Sequence, residues 1–262
     1  IDICLPTRLH RTAALAALGA GKHVLLEKPI AVRLSEADEM VAAAEESGCH
    51  FMVGHVLRFW PEFAYVKSVA EGGDFGQLVT ANFKRIISRP TWGDDWFSDL
   101  ESSGGPGIDL HIHDSDFVRF LLGTPNAVYS TGLLAGTEFA QYVATHYIYE
   151  ELGVSVSAQS GAIAMAGRPF EHGFDVYFER GTVQYNSSGE KPLAIVTEDD
   201  IIEPEVPSGE AFVEEIQAAV DIVGGSSVDN VLSGQSARDS LELCWREVES
   251  IRSGNVVRVQ GR

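Results

Sequence analysis

From Ile1 to Gly54, short apolar runs alternate with helical stretches, and this rhythm restricts the fold more than any other feature of the chain. Residues 1–5 (IDICL) are apolar from the start and read as a buried strand ended by Pro6-Thr7. Residues 10–18 are alanine-rich and helical, with Gly19 and Gly21 as stop signals. Residues 23–26 form a second expected strand, leading into Glu27-Lys28-Pro29. Ser35-Glu36-Ala37-Asp38 reads as a capping box for a helix over 36–47, stopped by Gly48. Residues 50–53 are a third strand before Gly54-His55. Strand–helix–strand–helix–strand requires parallel strands with right-handed crossovers. Ligands of open parallel sheets sit beyond the carboxyl ends of the strands. The polar residues at those ends are Thr7, His10, Glu27, Lys28, His55 and Arg58. His10 could equally start a helix, Glu27 could be a solvated loop charge, and His55 alone would be a packed core histidine. Lys28 differs from these, because Pro29 restricts its backbone to extended conformations. That fixation serves a reacting amine better than a solvated one.

After Pro61, at an expected first helical position, a helix runs to about Glu71 and ends at Gly72-Gly73. The character then changes. Residues 77–88 alternate like a strand, and further strands are expected at 127–131, 142–149, 154–163, 174–179, 182–186 and 193–196. Arg180-Gly181 links two alternating runs as a hairpin. No long helix interrupts 127–196, so this part should be a mostly antiparallel sheet with one face on helices and the other open to water or a partner. Helices at 210–223, with Ser208 as cap, and 233–251, then a strand-like tail at 255–259, complete the chain. The expected fold class is therefore α/β followed by α+β. A parallel-sheet part spans 1–72, and a large open sheet packed on helices spans 73–262, with the last helix available to pack back on the first part.

The segment 102–120 (SSGGPGIDLHIHDSDFVRF) carries the densest chemistry. A turn at Gly104, Gly105, Pro106 and Gly107 lets the backbone approach closely, and two histidines and three aspartates follow within 109–116. If one helix begins near Ile108, Asp109, His113 and Asp116 share a face. A carboxylate one turn behind an imidazole can orient it as a general base. Asp114 and Asp116 alone would suit a helix start. His111-Ile112-His113 would suit a metal on a strand, where both side chains share a face, but helical flanks split the pair and no metal is expected.

Net charge is −19, which argues against nucleic-acid and anionic-membrane partners. Cys4, Cys49 and Cys244 are few and far apart, which suits reduced thiols in a cytoplasm.

LPTRLH (5–10), AGKHVLLEKP (20–29), FMVGHVLRF (51–59), GGPGIDLHIHDSD (104–116) and FLLGTP (120–125) come in an order and spacing that resemble the Gfo/Idh/MocA family of oxidoreductases. The resemblance covers nearly the whole chain. It implies a Rossmann domain for NAD or NADP, here lacking its amino-terminal part, and a substrate domain whose open sheet forms a homo-oligomer interface. It implies that Pro6, Thr7, His10, Glu27, Lys28 and Arg58 bind cofactor, with Pro29 often cis. Lys28, Asp109 and His113 would be catalytic, and Trp96, His111 and His113 would face a sugar, inositol or related polyol. The implied activity is NAD(P)-dependent hydride transfer at a CH–OH group; an NAD-dependent glycoside hydrolase of the same family is the alternative. Two departures stand out. The G-x-G-x-x-G turn is absent, so the chain reads as truncated and as a possible non-catalytic oligomerising fragment. His111 stands where glycine is common.

Overall fold

The computed structural model describes residues 1–90, 99–136, 138–189, 192–206, 209–225 and 230–259. Strands β1 (Asp2–Ile3), β2 (Val24–Glu27) and β3 (Phe51–Gly54) form a parallel sheet in the order β1-β2-β3. The crossovers are α1 (His10–Gly19) and α2 (Leu34–Ser47). Their alanines matter: Ala14, Ala17, Ala37 and Ala44 are buried beside Val24, Leu26 and Val53, so the helices lie close on the sheet. Alanine does this at the lowest helix-propensity cost. Helix α2 starts at Leu34, and Arg33, not Ser35, precedes its first turn, with no side-chain cap bond. The expected capping box is thus not formed. The Arg33 guanidinium instead reaches across to Glu101 and Glu138 and stacks over Phe139 and Trp245.

Helix α3 (Pro61–Gly72) carries Pro61 in its first turn, as the sequence predicts. It leads to β4 (Leu78–Ser88), followed by α4 (Leu100–Ser103), α5 (Pro106–Asp109) and α6 (Ile112–Leu122). Then come β5 (Ala127–Ala135), β6 (Phe139–Ile148), β7 (Ser155–Ala164), β8 (Glu171–Phe178), β9 (Gly181–Asn186), β10 (Leu193–Val196) and β11 (Ile201–Ile202). Helices α7 (Ala211–Val223) and α8 (Gly234–Ser253) and strand β12 (Val257–Arg258) follow. The second sheet has nine strands in the order β11-β10-β9-β8-β4-β7-β6-β5-β12. Every pairing is antiparallel except β4 with β7. Phe178 pairs with Gly181, so the hairpin link is Glu179-Arg180, one residue earlier than expected. The expected cap Ser208 lies outside the described residues.

The inner face of this sheet packs Phe83, Val156, Phe174, Val176 and Val183 against Phe63 and Val66 of α3 and Phe117 of α6. Phe63 meets Phe117 and Phe174 edge-on, with ring centroids 4.9 and 5.0 Å away. Helix α8 belongs to both cores. Leu243 joins the large-sheet core, while Ala237, Leu241 and Cys244 pack beneath the parallel sheet. Among the described residues, no helix is long and apolar enough to cross a membrane.

Candidate active site

The segment 106–122 is not one helix. α5 ends at Asp109 and α6 begins at Ile112, with Leu110 and His111 between them. Pro106 starts α5, and Gly107 brings it against β6: a Cβ there would lie 2.9 Å from the Ala140 Cβ. In a continuous helix the Asp109 carbonyl would accept the His113 amide. Here that amide turns to the Leu110 carbonyl at 3.3 Å, which leaves the Asp109 carbonyl for Lys28. The Lys28 Nζ donates to it at 2.8 Å and to Asp109 Oδ1 at 3.0 Å. Both side chains are largely buried, 17% and 14% exposed. The sequence expectation that Asp109 orients His113 is corrected: the Asp109 carboxylate is given to Lys28. His113 is half-buried, and its Nδ1 has no hydrogen-bond partner among the described residues. Burial, and then the charges of Lys28 and Arg85, hold the His113 pKa well below the usual 6.5. Beside Asp109 a cavity of ≈ 200 Å³ is walled by Ile87, Arg89, Pro106, Leu110 and Gln141.

Asp116 does not join that group. Its carboxylate accepts from Arg58 Nε at 2.9 Å and Nη2 at 2.5 Å, and from Ser240 Oγ at 2.6 Å. Burial would raise the Asp116 pKa, but Arg58 overrides it and holds the carboxyl far below its usual range. Arg58, expected to bind cofactor, is 7% exposed and spends its donors inward, on Asp116, the Val231 carbonyl and Ser236. His55 lies beside this pair, with Nδ1 3.5 Å from Asp116 Oδ2, and burial lowers its pKa to about 4. His111, expected at the substrate, is fully buried between Ser160 and Glu247. His111 and His113 therefore serve different surroundings, and no group of three or more metal-ligating side chains is formed among the described residues. Trp96 lies outside the described residues.

At the lip of the parallel sheet, His10 staples two loops. Its Nδ1 lies 3.0 Å from the Pro29 carbonyl and its Nε2 2.7 Å from that of Leu5. The Lys28–Pro29 bond is cis. Thr7 is buried, Pro6 is exposed, and Glu27 accepts the Lys28 amide at 3.0 Å. Burial raises the Glu27 pKa.

Three participants are not singled out by sequence reasoning. Glu215 of α7 leans over Gly54, where a Cβ would lie 2.8 Å from its carboxylate oxygen. Burial, then Glu27 and Asp2, push the Glu215 pKa up to about 8. Arg85 of β4 holds Asp114 through two hydrogen bonds of 3.0 and 3.1 Å. His172 of β8, paired in register with Arg85, has a pKa lowered to about 4 by burial and by that guanidinium. The alternation of β4 gives Arg85 an inward position, the one sequence signal available for it.

Residues 1–55 match a family described as oxidoreductase, NAD-binding Rossmann fold, and residues 63–184 match the GFO/IDH/MocA C-terminal domain. The chain belongs to the Gfo/Idh/MocA oxidoreductase family. It is 32% identical over 205 residues to a 1,5-anhydro-D-fructose reductase of Ensifer adhaerens, covering 75% of this chain and 60% of that protein. It is 26% identical over 258 residues to a scyllo-inositol 2-dehydrogenase (NADP(+)) of Bacillus subtilis, covering 97% of this chain and 69% of that one. In fold it matches a levoglucosan dehydrogenase solved with NADH and levoglucosan, with a TM-score of 0.84 at 22% identity, over 99% of this chain and 80% of that one. The chain spans about 60% of the length of the first curated relatives it matches.

Proposed function

We propose that this chain is the substrate-facing and proton-handling part of a nicotinamide-dependent oxidoreductase, moving hydride between the cofactor and a CH–OH carbon of a sugar, inositol or related polyol. The observation that carries the reading is Lys28, held by the backbone carbonyl and Oδ1 of Asp109, with His113 alongside and its ring nitrogen unmet. Nicotinamide, when bound, supplies the hydride acceptor or donor. Thr7 and Glu27 would line its reactive end, Pro6 would flank it, and His10 would keep the two loops at their spacing. Lys28, with three N–H donors and two of them committed to Asp109, has one left for a substrate oxygen. His113 is held neutral by its surroundings, so it can accept the hydroxyl proton at neutral pH. We place the division between the two parts of the chain at Gly72-Gly73, and the three free thiols support a reducing, cytoplasmic setting.

The test is hydride transfer from a panel of sugars and polyols with NAD+ and with NADP+, followed by nicotinamide absorbance. His113→Asn should lower kcat ~10²-fold or more. In the unmodified protein, the acid limb of the pH–rate profile should lie below the usual 6.5 of an imidazole, because burial and Lys28 depress His113. Undiminished turnover in the variant would remove His113 from the reaction.

We also propose that the outer sheet face joins copies of the chain. Asn82, Thr131, Ser157, Gln159 and Gln184 are uncharged there; Asp175 shares the face, and Lys84 is paired with Glu171, in a chain of net charge −19. Depletion of charge is the compositional mark of an interface core. Light scattering should return a multiple of the 28.4 kDa chain mass, and the mass of a single chain across working concentrations would refute the interface.

A further inference from the structure

His111 has no part in the chemistry proposed above, yet it occupies the pivot of the α5–α6 break. Its own N–H donates to the Pro106 carbonyl at 2.9 Å, the last bond of α5. Its carbonyl accepts the amides of Asp114 at 3.0 Å and Ser115 at 3.1 Å, the first bonds of α6. The side chain is anchored on two other elements. Nδ1 lies 2.8 Å from Ser160 Oγ on β7, and Nε2 lies 3.1 Å from Glu247 Oε2 on α8. His111, Glu247 and Asp114 are all fully buried.

The proton positions follow from the partners. Ser160 Oγ donates to Asp114 Oδ2 at 2.8 Å, so its single proton is committed. Its oxygen must then accept from His111 Nδ1–H. Nε2 approaches Glu247 Oε2 without the alignment of a hydrogen bond, so this second anchor is the electrostatic hold of a buried carboxylate at 3.1 Å. The other groups facing this pair are Arg85 of β4, Asp114 and Ser115 of α6, Tyr147 of β6 and Cys244 of α8. Burial alone would lower the His111 pKa, but Glu247 more than offsets it and raises it above the usual 6.5.

We propose that the buried His111–Glu247 pair, with Ser160, is a clamp that keeps the helix broken after Asp109 and so presents the backbone carbonyl and Oδ1 of Asp109 to Lys28. Without the break, the Asp109 carbonyl would be consumed inside a helix and Lys28 would lose one of its two acceptors. His111 and Glu247 are positioning residues. The proposal rests on Lys28 and Asp109 forming the working pair, but its test reads Lys28 directly and needs no substrate.

The chain has five lysines, Lys22, Lys28, Lys67, Lys84 and Lys191, so the side-chain ammonium of Lys28 can be followed by NMR of the full chain carrying isotope-labelled lysine, its signal identified by its loss in Lys28→Arg. In His111→Gln and in Ser160→Ala, the Lys28 signal should shift or be lost to faster exchange with water, while that of Lys67, paired with Glu71 on α3, stays in place. Ser160→Ala removes one neutral hydroxyl and reads the clamp even if His111→Gln does not fold. An unchanged Lys28 signal in a folded variant overturns the clamp. A displaced Lys28 signal in a protein that oxidises no polyol leaves the clamp standing and removes the proposed reaction.

Discussion

Lys28→Ala should lower turnover by ~10²–10⁴, the range spanned when a positioned proton-transfer group is removed, and should leave the melting temperature nearly unchanged. The two halves of that expectation have separate causes. The ammonium is held at 2.8 and 3.0 Å by Asp109, and in the proposed reaction its remaining N–H meets the substrate oxygen. Its loss removes the group that stabilises developing negative charge on that oxygen. The Asp109 carboxylate, 14% exposed, keeps a route to water, so the stability cost is small compared with that of a fully enclosed pair. Steady-state kinetics beside a thermal melt check both halves. Full turnover in a folded Lys28→Ala protein would sink the assignment.

Asp116→Ala should have the opposite profile. The side chains of Arg58 and Asp116 are 3% and 1% exposed, so the substitution leaves an enclosed guanidinium without its counter-charge. Removing one partner of such a pair costs about 3–5 kcal/mol, which in a chain of this size lowers the melting temperature by about 10 °C. Glu39→Ala, at the solvent-facing pair with Arg11, where the partners are 43% and 50% exposed, should cost less than ~1 kcal/mol. Calorimetry of the two variants side by side tests the contrast. Equal melting temperatures would mean that Arg58 finds other acceptors as good as Asp116.

The alternation of short strands with alanine-rich helices gives away the parallel sheet, because periodicity is a local property of the chain. The strands of the large sheet are equally local, and most fall within a few residues of their expected bounds. The break after Asp109 is not local. No glycine or proline interrupts Leu110-His111-Ile112, and the helical period runs through it. What breaks the helix is the anchoring of His111 on β7 and α8, elements that begin 44 or more residues later in the chain. The same distance in sequence hides Arg58–Asp116 and His111–Glu247. From sequence, both arginine and histidine at those places look available for a ligand, and only the register of packed elements reveals that each is already spoken for. The constraint on the Lys28 backbone is local, because the proline that sets it is the next residue.

Helix α8 lends Leu243 to the packing of the large sheet and Ala237, Leu241 and Cys244 to that of the parallel one. Neither sheet thus owns a complete hydrophobic interior. If α8 detaches, apolar surface opens on both at once, and the free-energy loss is shared between them. The cooperative unit of unfolding is then set by this helix, not by the boundary that the two sheet types suggest. Heat or denaturant would find no intermediate in which one half keeps its native packing while the other is lost, and a nick in the chain just before α8 would weaken the parallel sheet and the large sheet together.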